Sequence, residues 1–254
     1  MNSTPLAGTT AVVTGAGRGF GRAIATALVG AGARVVGVAR TRAALDQVRE
    51  SLDPFGTGAF VPFAADATDP NVTGLVLDEY RPNLLVLNAG VSPLSRPLHH
   101  HTWETFSAPW HVDVKQAFHW TREALLTPLA PGSLVVALSS GAAVMGSPIS
   151  GGYAGAKATV RFVMEYAADE SERGGLGIRF TAVLPQLTPA TELGERAVAA
   201  YAARAGVDVE TFLKERGPVL TPERVGEAVL ALAKDPATPR AASVLTAAGL
   251  IPVP

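Results

Sequence analysis

Thr10-Ala11-Val12-Val13-Thr14-Gly15-Ala16-Gly17-Arg18-Gly19-Phe20-Gly21 runs from an apolar stretch straight into glycines, and a helical pattern then extends from Phe20 to about Ala31. Short β-branched runs read as buried strands, whereas apolar residues recurring every three or four positions read as helix. Residues without a Cβ permit positive φ in the turn between them and let a phosphate approach the backbone. The helix N-terminus adds free N–H groups and a partial positive charge. The same glycines also suit a turn that only packs strand against helix. Their order, Gly15-x-x-x-Gly19-x-Gly21, differs from the common Gly-x-Gly-x-x-Gly, and no Gly-Lys-Ser/Thr follows, which excludes a Walker loop.

Outward from this junction the alternation repeats. Strands are expected at Arg34 to Val38, Ala59 to Val61, Leu84 to Leu87, Leu134 to Leu138, Ile178 to Leu184 and Ala242 to Thr246. Helices are expected after Thr41, from Asp69-Pro70, from Thr102 to Leu126, from Gly152 to Arg173 and from Thr221-Pro222-Glu223. Asp69 and Thr221 supply N-caps, each followed by a first-turn proline. Continuous apolar strands alternating with helices predict one α/β domain, a doubly wound parallel sheet covered on both faces. Its chemistry belongs at the carboxyl ends of the strands.

Composition narrows the function. The 254 residues are 48% hydrophobic and 17% charged, with a formal net charge of −1, so no basic field argues for nucleic acid or an anionic membrane. The absence of cysteine excludes disulfides, thiolate catalysis and cysteine-ligated metals. No secretory signal pattern and no apolar run of roughly 18 residues is read, so a soluble cytoplasmic protein is expected.

After the second strand an acidic residue usually meets the ribose 2′-hydroxyl of NAD, whereas arginine meets the 2′-phosphate of NADP. Here the strand ends Val38-Ala39-Arg40, no acid appears before Asp46, and Arg18 lies in the glycine turn. Two guanidiniums without a competing carboxylate favour NADP(H) over NAD(H), although a solvated surface arginine is the plainer reading of Arg40.

Tyr153 and Lys157 stand four residues apart at the start of an expected helix, hence on one face. A free tyrosine has a pKa of about 10, and a neighbouring ammonium lowers it toward the range useful for general acid–base catalysis. Ser140 ends the fifth strand at the same rim. On their own, Tyr153 and Lys157 better suit a buried tyrosine beside a solvated lysine.

Together, Thr14-Gly15-x-x-x-Gly19-x-Gly21, Asn88-Ala89-Gly90, Ser140, Tyr153-x-x-x-Lys157 and Pro185 resemble the classical short-chain dehydrogenase/reductase family over nearly the whole chain. The resemblance implies a Rossmann-type sheet of about seven parallel strands and a bound nicotinamide cofactor. It implies Tyr153 as acid/base, Lys157 on the nicotinamide ribose and tuning the tyrosine, and Ser140 orienting the substrate. Gly15, Arg18, Gly19, Phe20 and Gly21 would cradle the cofactor, with Arg40 at its 2′ end and Asp66 and Ala67 at the adenine. Asn88, Ala89, Gly90, Pro185 and Thr188 would line the rest. A homodimer or homotetramer is implied too, and residues 188–217 fall where the family places a substrate lid.

The chain also departs from the family. Asp113 stands where an asparagine is usual, and Asp113→Asn is expected to stay active. Leu87 replaces the first residue of Asn-Asn-Ala-Gly, Gln186 replaces a glycine after Pro185, and the ending Gly249 to Pro254 lacks the common acidic-glycine pattern. His99-His100-His101, His111 and His119 invite a metal, but the run has no carboxylate at ligand spacing and no metal is expected. Trp103, Trp110 and Trp120 suit core packing or an interface. The alanine-rich segment from Thr191 to Gly217 suggests a neutral or apolar substrate. The expected activity is hydride transfer between NADP(H) and a carbonyl/alcohol pair. The alternatives are a cofactor-binding regulatory protein and a reductase of C=N or C=C bonds.

Overall fold

A computed structural model describes residues 5–56, 58–237 and 242–253. The first half of the chain runs β1 (Thr10–Thr14), α1 (Gly19–Gly30), β2 (Arg34–Ala39), α2 (Arg42–Leu52), β3 (Phe60–Ala64), α3 (Pro70–Tyr80) and β4 (Leu84–Leu87). Then come α4 (Trp103–Pro109), a π-helical turn (Trp110–Val114), α5 (Lys115–Leu126), β5 (Leu134–Leu138), α6 (Ala142–Met145) and α7 (Gly151–Arg173). The chain continues through β6 (Arg179–Pro185), α8 (Glu192–Ala205), α9 (Val209–Lys214), α10 (Pro222–Lys234), β7 (Ser243–Thr246) and β8 (Gly249–Pro252).

Among the described residues, eight strands share one sheet in the order β3-β2-β1-β4-β5-β6-β7-β8. The first seven are parallel, with Val12 of β1 paired to Val36 of β2 on one side and Leu85 of β4 on the other. Chain direction across the sheet reverses between β1 and β4, the switch point at which a doubly wound sheet opens a crevice. Successive residues of β1 face opposite layers. Ala11 and Val13 pack with Ile24, Leu28, Leu45 and Val229. Val12 packs with Leu85, Trp120, Val160 and Met164.

The expected α/β architecture is observed, with three differences. β3 continues to Ala64 through Pro62, which an edge strand tolerates because an edge residue need not donate to a second neighbour. The helix expected from Thr102 to Leu126 is broken by the π-helical turn directly after Pro109. Proline has no N–H for the carbonyl four residues back and its ring crowds that carbonyl, so the helix loosens there. An eighth strand, antiparallel to β7, follows a tight turn at Ala247-Ala248. The apolar Leu250-Ile251 pair after a glycine was its sequence signal. Within 188–217 lie α8 and α9, which share a small core of Val198, Ala202 and Phe212.

Candidate active site

The glycine turn is held at the switch point by Thr14, the last residue of β1. Its buried Oγ1 accepts from Asn88 N at 2.9 Å and Ala89 N at 3.0 Å, and lies 3.1 Å from Gln116 Oε1. Asn88 Nδ2 in turn donates to the carbonyls of Thr14 (3.0 Å) and Gly15 (3.3 Å). Gly21 is required by contact, since a Cβ there would lie 2.1 Å from Gly15 O and 2.5 Å from Asn88 Nδ2. Gly15 and Gly19 are required by backbone, with φ of 68° and 53°. Helix α1 begins at this turn without a side-chain cap and without an acid in its first turn, and Phe20 packs under it. Its first amides are thus left for an anion.

The second half of the site is built from β5, the π-helical turn and α7. Lys157 is buried, and its Nζ donates to Leu138 O at 2.9 Å and stands 3.0 Å from Asp113 Oδ2. Its backbone carbonyl accepts from Ser139 Oγ at 2.7 Å, pinning α7 to the end of β5. Asp113 Oδ1 accepts from Val91 N at 2.9 Å, and a Cβ on Gly90 would sit 2.8 Å from Oδ2. Burial works against the Lys157 ammonium, but Asp113 and then Tyr153 outweigh it and hold the group above its usual value.

Tyr153 lies one turn before Lys157, whose Nζ is 5.6 Å from the phenol ring centroid. Burial pushes the phenol above the usual tyrosine value; Lys157 pulls it down, Asp113 pushes it up, Ser140 pulls it down and Tyr201 pushes it up. The lysine acts in the direction expected from the spacing. The expected net lowering is not observed, because desolvation disfavours the phenolate more than the ammonium supports it. Ser140 is partly buried at the end of β5, and its Oγ accepts from Ala142 N at 3.2 Å.

The remaining expected residues divide. Arg40 is exposed and has no ion pair among the described residues, and its charge helps hold the Asp66 carboxyl below the usual carboxylate range, behind the Thr68 backbone bond. Arg18 is ion-paired with Glu192 at the start of α8. Ala67 is buried and its carbonyl accepts from Trp120 Nε1 at 2.8 Å. Pro185 O accepts from Gly141 N at 3.0 Å, and Gln186 N donates to Leu245 O at 2.9 Å, prolonging the sheet pairing past β6. Thr188 is buried; its hydroxyl donates to Leu220 O and accepts from Ala190 N, so it is already committed.

Residues 9–202 match the family described as short chain dehydrogenase. The chain belongs to this family. It is 33% identical to the hydroxynaphthalene reductase of Aspergillus fumigatus over 67% of this chain and 64% of that one. The versicolorin reductase 1 of Aspergillus parasiticus is 35% identical over 61% of each chain, and the L-xylulose reductase of Bos taurus 34% over 76% of each. The aligned stretch thus spans less than two thirds of the first two relatives. A dehydrogenase/reductase of Sinorhizobium meliloti superposes with a TM-score of 0.79 at 26% identity, covering 95% of each chain. A short chain dehydrogenase of Burkholderia cenocepacia in complex with NADP has the same fold, with a TM-score of 0.79 at 23% identity over 94% and 97%.

Several contacts of this short-chain dehydrogenase were not found from its sequence. Gln116, Ser139 and Val91 meet Thr14, Lys157 and Asp113 only through the packed sheet. Tyr201 of α8 was seen only as an apolar residue, yet its hydroxyl bonds Ser147 and its charge state acts on Tyr153. Trp120 is fully buried, Trp110 donates to Gly152 O at 3.2 Å, and Trp103 is 72% exposed. Among the described residues no group of three or more His, Cys, Asp or Glu is placed to hold a metal, and no helix is long and apolar enough to cross a membrane.

Proposed function

We propose that this short-chain dehydrogenase transfers hydride between NADP(H) and a carbonyl/alcohol pair, with ketone or aldehyde reduction favoured. The observation that carries the reading is the meeting of Ser140, Tyr153 and Lys157 beside the glycine turn, at one edge of one sheet. The uncapped start of α1 and the open backbone at Gly19 fit a pyrophosphate, and Arg40, with Arg18, fits a 2′-phosphate. Asp66 and Ala67 would meet the adenine, Asn88, Ala89 and Gly90 the middle of the cofactor, and Pro185 its nicotinamide end, where Thr188 would have to give up its bond to Leu220 O to take part. When bound, the nicotinamide supplies or accepts the hydride.

Ser140 would orient the substrate oxygen by hydrogen bonding. The Tyr153 hydroxyl would give it a proton during reduction and remove one during oxidation. Lys157 would hold the ribose and stabilise the phenolate left on Tyr153. Three relatives are named as reductases, which supports the direction. Residues 188–217 would close over the substrate; their small apolar core of Val198, Ala202 and Phe212 suits a neutral or apolar molecule. Exposed Phe118 on α5 and Phe162 and Tyr166 on α7 supply an apolar face on which two copies would pair as a homodimer or homotetramer.

A panel of ketones, aldehydes and alcohols followed by NADPH absorbance tests this function. Tyr153→Phe should lower turnover about 10²- to 10⁴-fold. Full activity in that variant would point to a C=N or C=C substrate. Cofactor binding without turnover across the panel would point to a regulatory role.

A further inference from the structure

The Lys157 ammonium has two anionic claimants. Asp113 Oδ2 is 3.0 Å from Nζ, and the two side chains retain only 1% and 8% exposure. The Tyr153 ring is centred 5.6 Å from the same nitrogen. Coulomb attraction falls with distance, and screening is weak for a buried pair, so the carboxylate holds the larger share of the lysine charge. At Tyr153 the aspartate opposes the lysine and offsets part of its charge, the lysine remaining the larger of the two. The asparagine that the family resemblance leads one to expect at this position would carry no such opposing charge. Resting on the oxidoreductase reading, we propose that Asp113 is a positioning residue that withholds the Lys157 charge from Tyr153 and so keeps the site in its proton-donating form, biasing it toward carbonyl reduction.

The surrounding groups leave this role to Asp113. Among the described residues, besides Lys157 and Asp113, Tyr201 from α8 also acts on Tyr153, in the same direction as Asp113. Lys115 on α5 acts on Asp66 and His119. His111 on the π-helical turn lies 3.4 Å from Ser107 Oγ, and Arg161 on α7 is paired with Glu165. The segment 88–95 and helix α6 carry no ionisable side chain. In the reducing direction the Tyr153 proton moves to the carbonyl oxygen while hydride from NADPH reaches the carbon. The phenolate then takes a proton from solvent, leaving alcohol and NADP⁺. A phenol that resists ionisation remains able to start this cycle at higher pH.

The test reads the phenol directly. Tyrosinate ultraviolet absorbance is titrated in the cofactor-free protein, and the difference between wild type and Tyr153→Phe isolates Tyr153 among the four tyrosines. In Asp113→Asn the Tyr153 transition should move to lower pH. The acid limb of alcohol oxidation and the base limb of carbonyl reduction should move down with it. Below the limb, oxidation should rise about tenfold for each pH unit of movement. An unmoved or upward-moving transition overturns the proposal, because a purely structural role would lower stability and activity without displacing a limb. If Asp113→Asn folds poorly, Asp113→Ser carries the same expectation. A transition that moves in a protein reducing no carbonyl upholds the coupling and sinks the carbonyl-reduction reading instead.

Discussion

Asn88 and Thr14 clasp each other across the switch point of the sheet: Asn88 N donates to Thr14 Oγ1 at 2.9 Å while Asn88 Nδ2 donates to Thr14 O at 3.0 Å. The hydroxyl also accepts from Ala89 N, so one buried side chain holds two loop amides and through them the mouth of the crevice. Thr14→Val keeps the shape and leaves both amides without their acceptor. It should cost about 1–3 kcal/mol in urea unfolding and weaken cofactor binding. Thr14→Ser retains the hydroxyl and should recover most of that binding. Wild-type binding in Thr14→Val together with loss in Thr14→Ser would show that the methyl, not the hydroxyl, matters.

Two glycines in helices should respond oppositely to alanine. At Gly21 the added Cβ meets Gly15 O at 2.1 Å, a backbone atom that has nowhere to move. Gly21→Ala should lose about 3 kcal/mol or more and abolish dinucleotide binding. At Gly74 on α3 nothing lies within 4 Å of the built Cβ, and Gly74→Ala should gain about 0.5–1 kcal/mol from helix propensity. Thermal unfolding of the pair reads both signs.

Arg18 is engaged by Glu192, with side-chain exposures of 77% and 47%. An exposed pair of this kind is worth about 0.2–1 kcal/mol. Under the proposed NADP(H) reading, Glu192→Gln releases Arg18 and should tighten NADPH binding by up to about fivefold while leaving NADH nearly unchanged. Titration calorimetry with both cofactors checks this. Equal gains for the two would remove Arg18 from the 2′-phosphate.

Alkaline stability follows from Lys157 and Tyr153. Both hold their protons above the ordinary values of 10.5 and 10.0, so in that window the folded chain binds more protons than the unfolded one. Stability therefore falls as pH rises, because the slope follows the proton difference between unfolded and folded states. The contribution is complete below about pH 10 and is lost above it. Lys157→Met and Tyr153→Phe should each flatten the alkaline decline measured by urea midpoints. A decline unchanged in both variants would place its origin elsewhere.

Much of the frame was readable from local pattern. The apolar runs at Ala11 to Val13, Leu84 to Leu87 and Leu134 to Leu138 became buried strands because an apolar run without alternation suits a strand covered by helices on both faces. The break at Pro109 was also available, since proline inside a helical pattern announces a lost hydrogen bond. What that break would do to Asp113 was not readable, because the side chain's direction depends on how many residues the widened turn absorbs. β8 was missed for a different reason. Four residues with two apolar side chains carry too little periodicity, and their pairing with β7 becomes visible only once β7 is an edge.

The sequence by itself determined that a glycine turn joins β1 to α1 and that Tyr153 and Lys157 share one helical face, because both follow from covalent spacing and backbone geometry. Tertiary structure decided what those groups meet. It placed Thr14 against Asn88, 74 residues away, committed the Thr188 hydroxyl to Leu220, turned Arg18 to Glu192, and buried Asp113 beside Lys157. Charge sharing and desolvation depend on the neighbours a packed sheet brings together and on the water it excludes. Spacing therefore put a lysine next to the tyrosine, and packing decided how much of its charge the tyrosine receives.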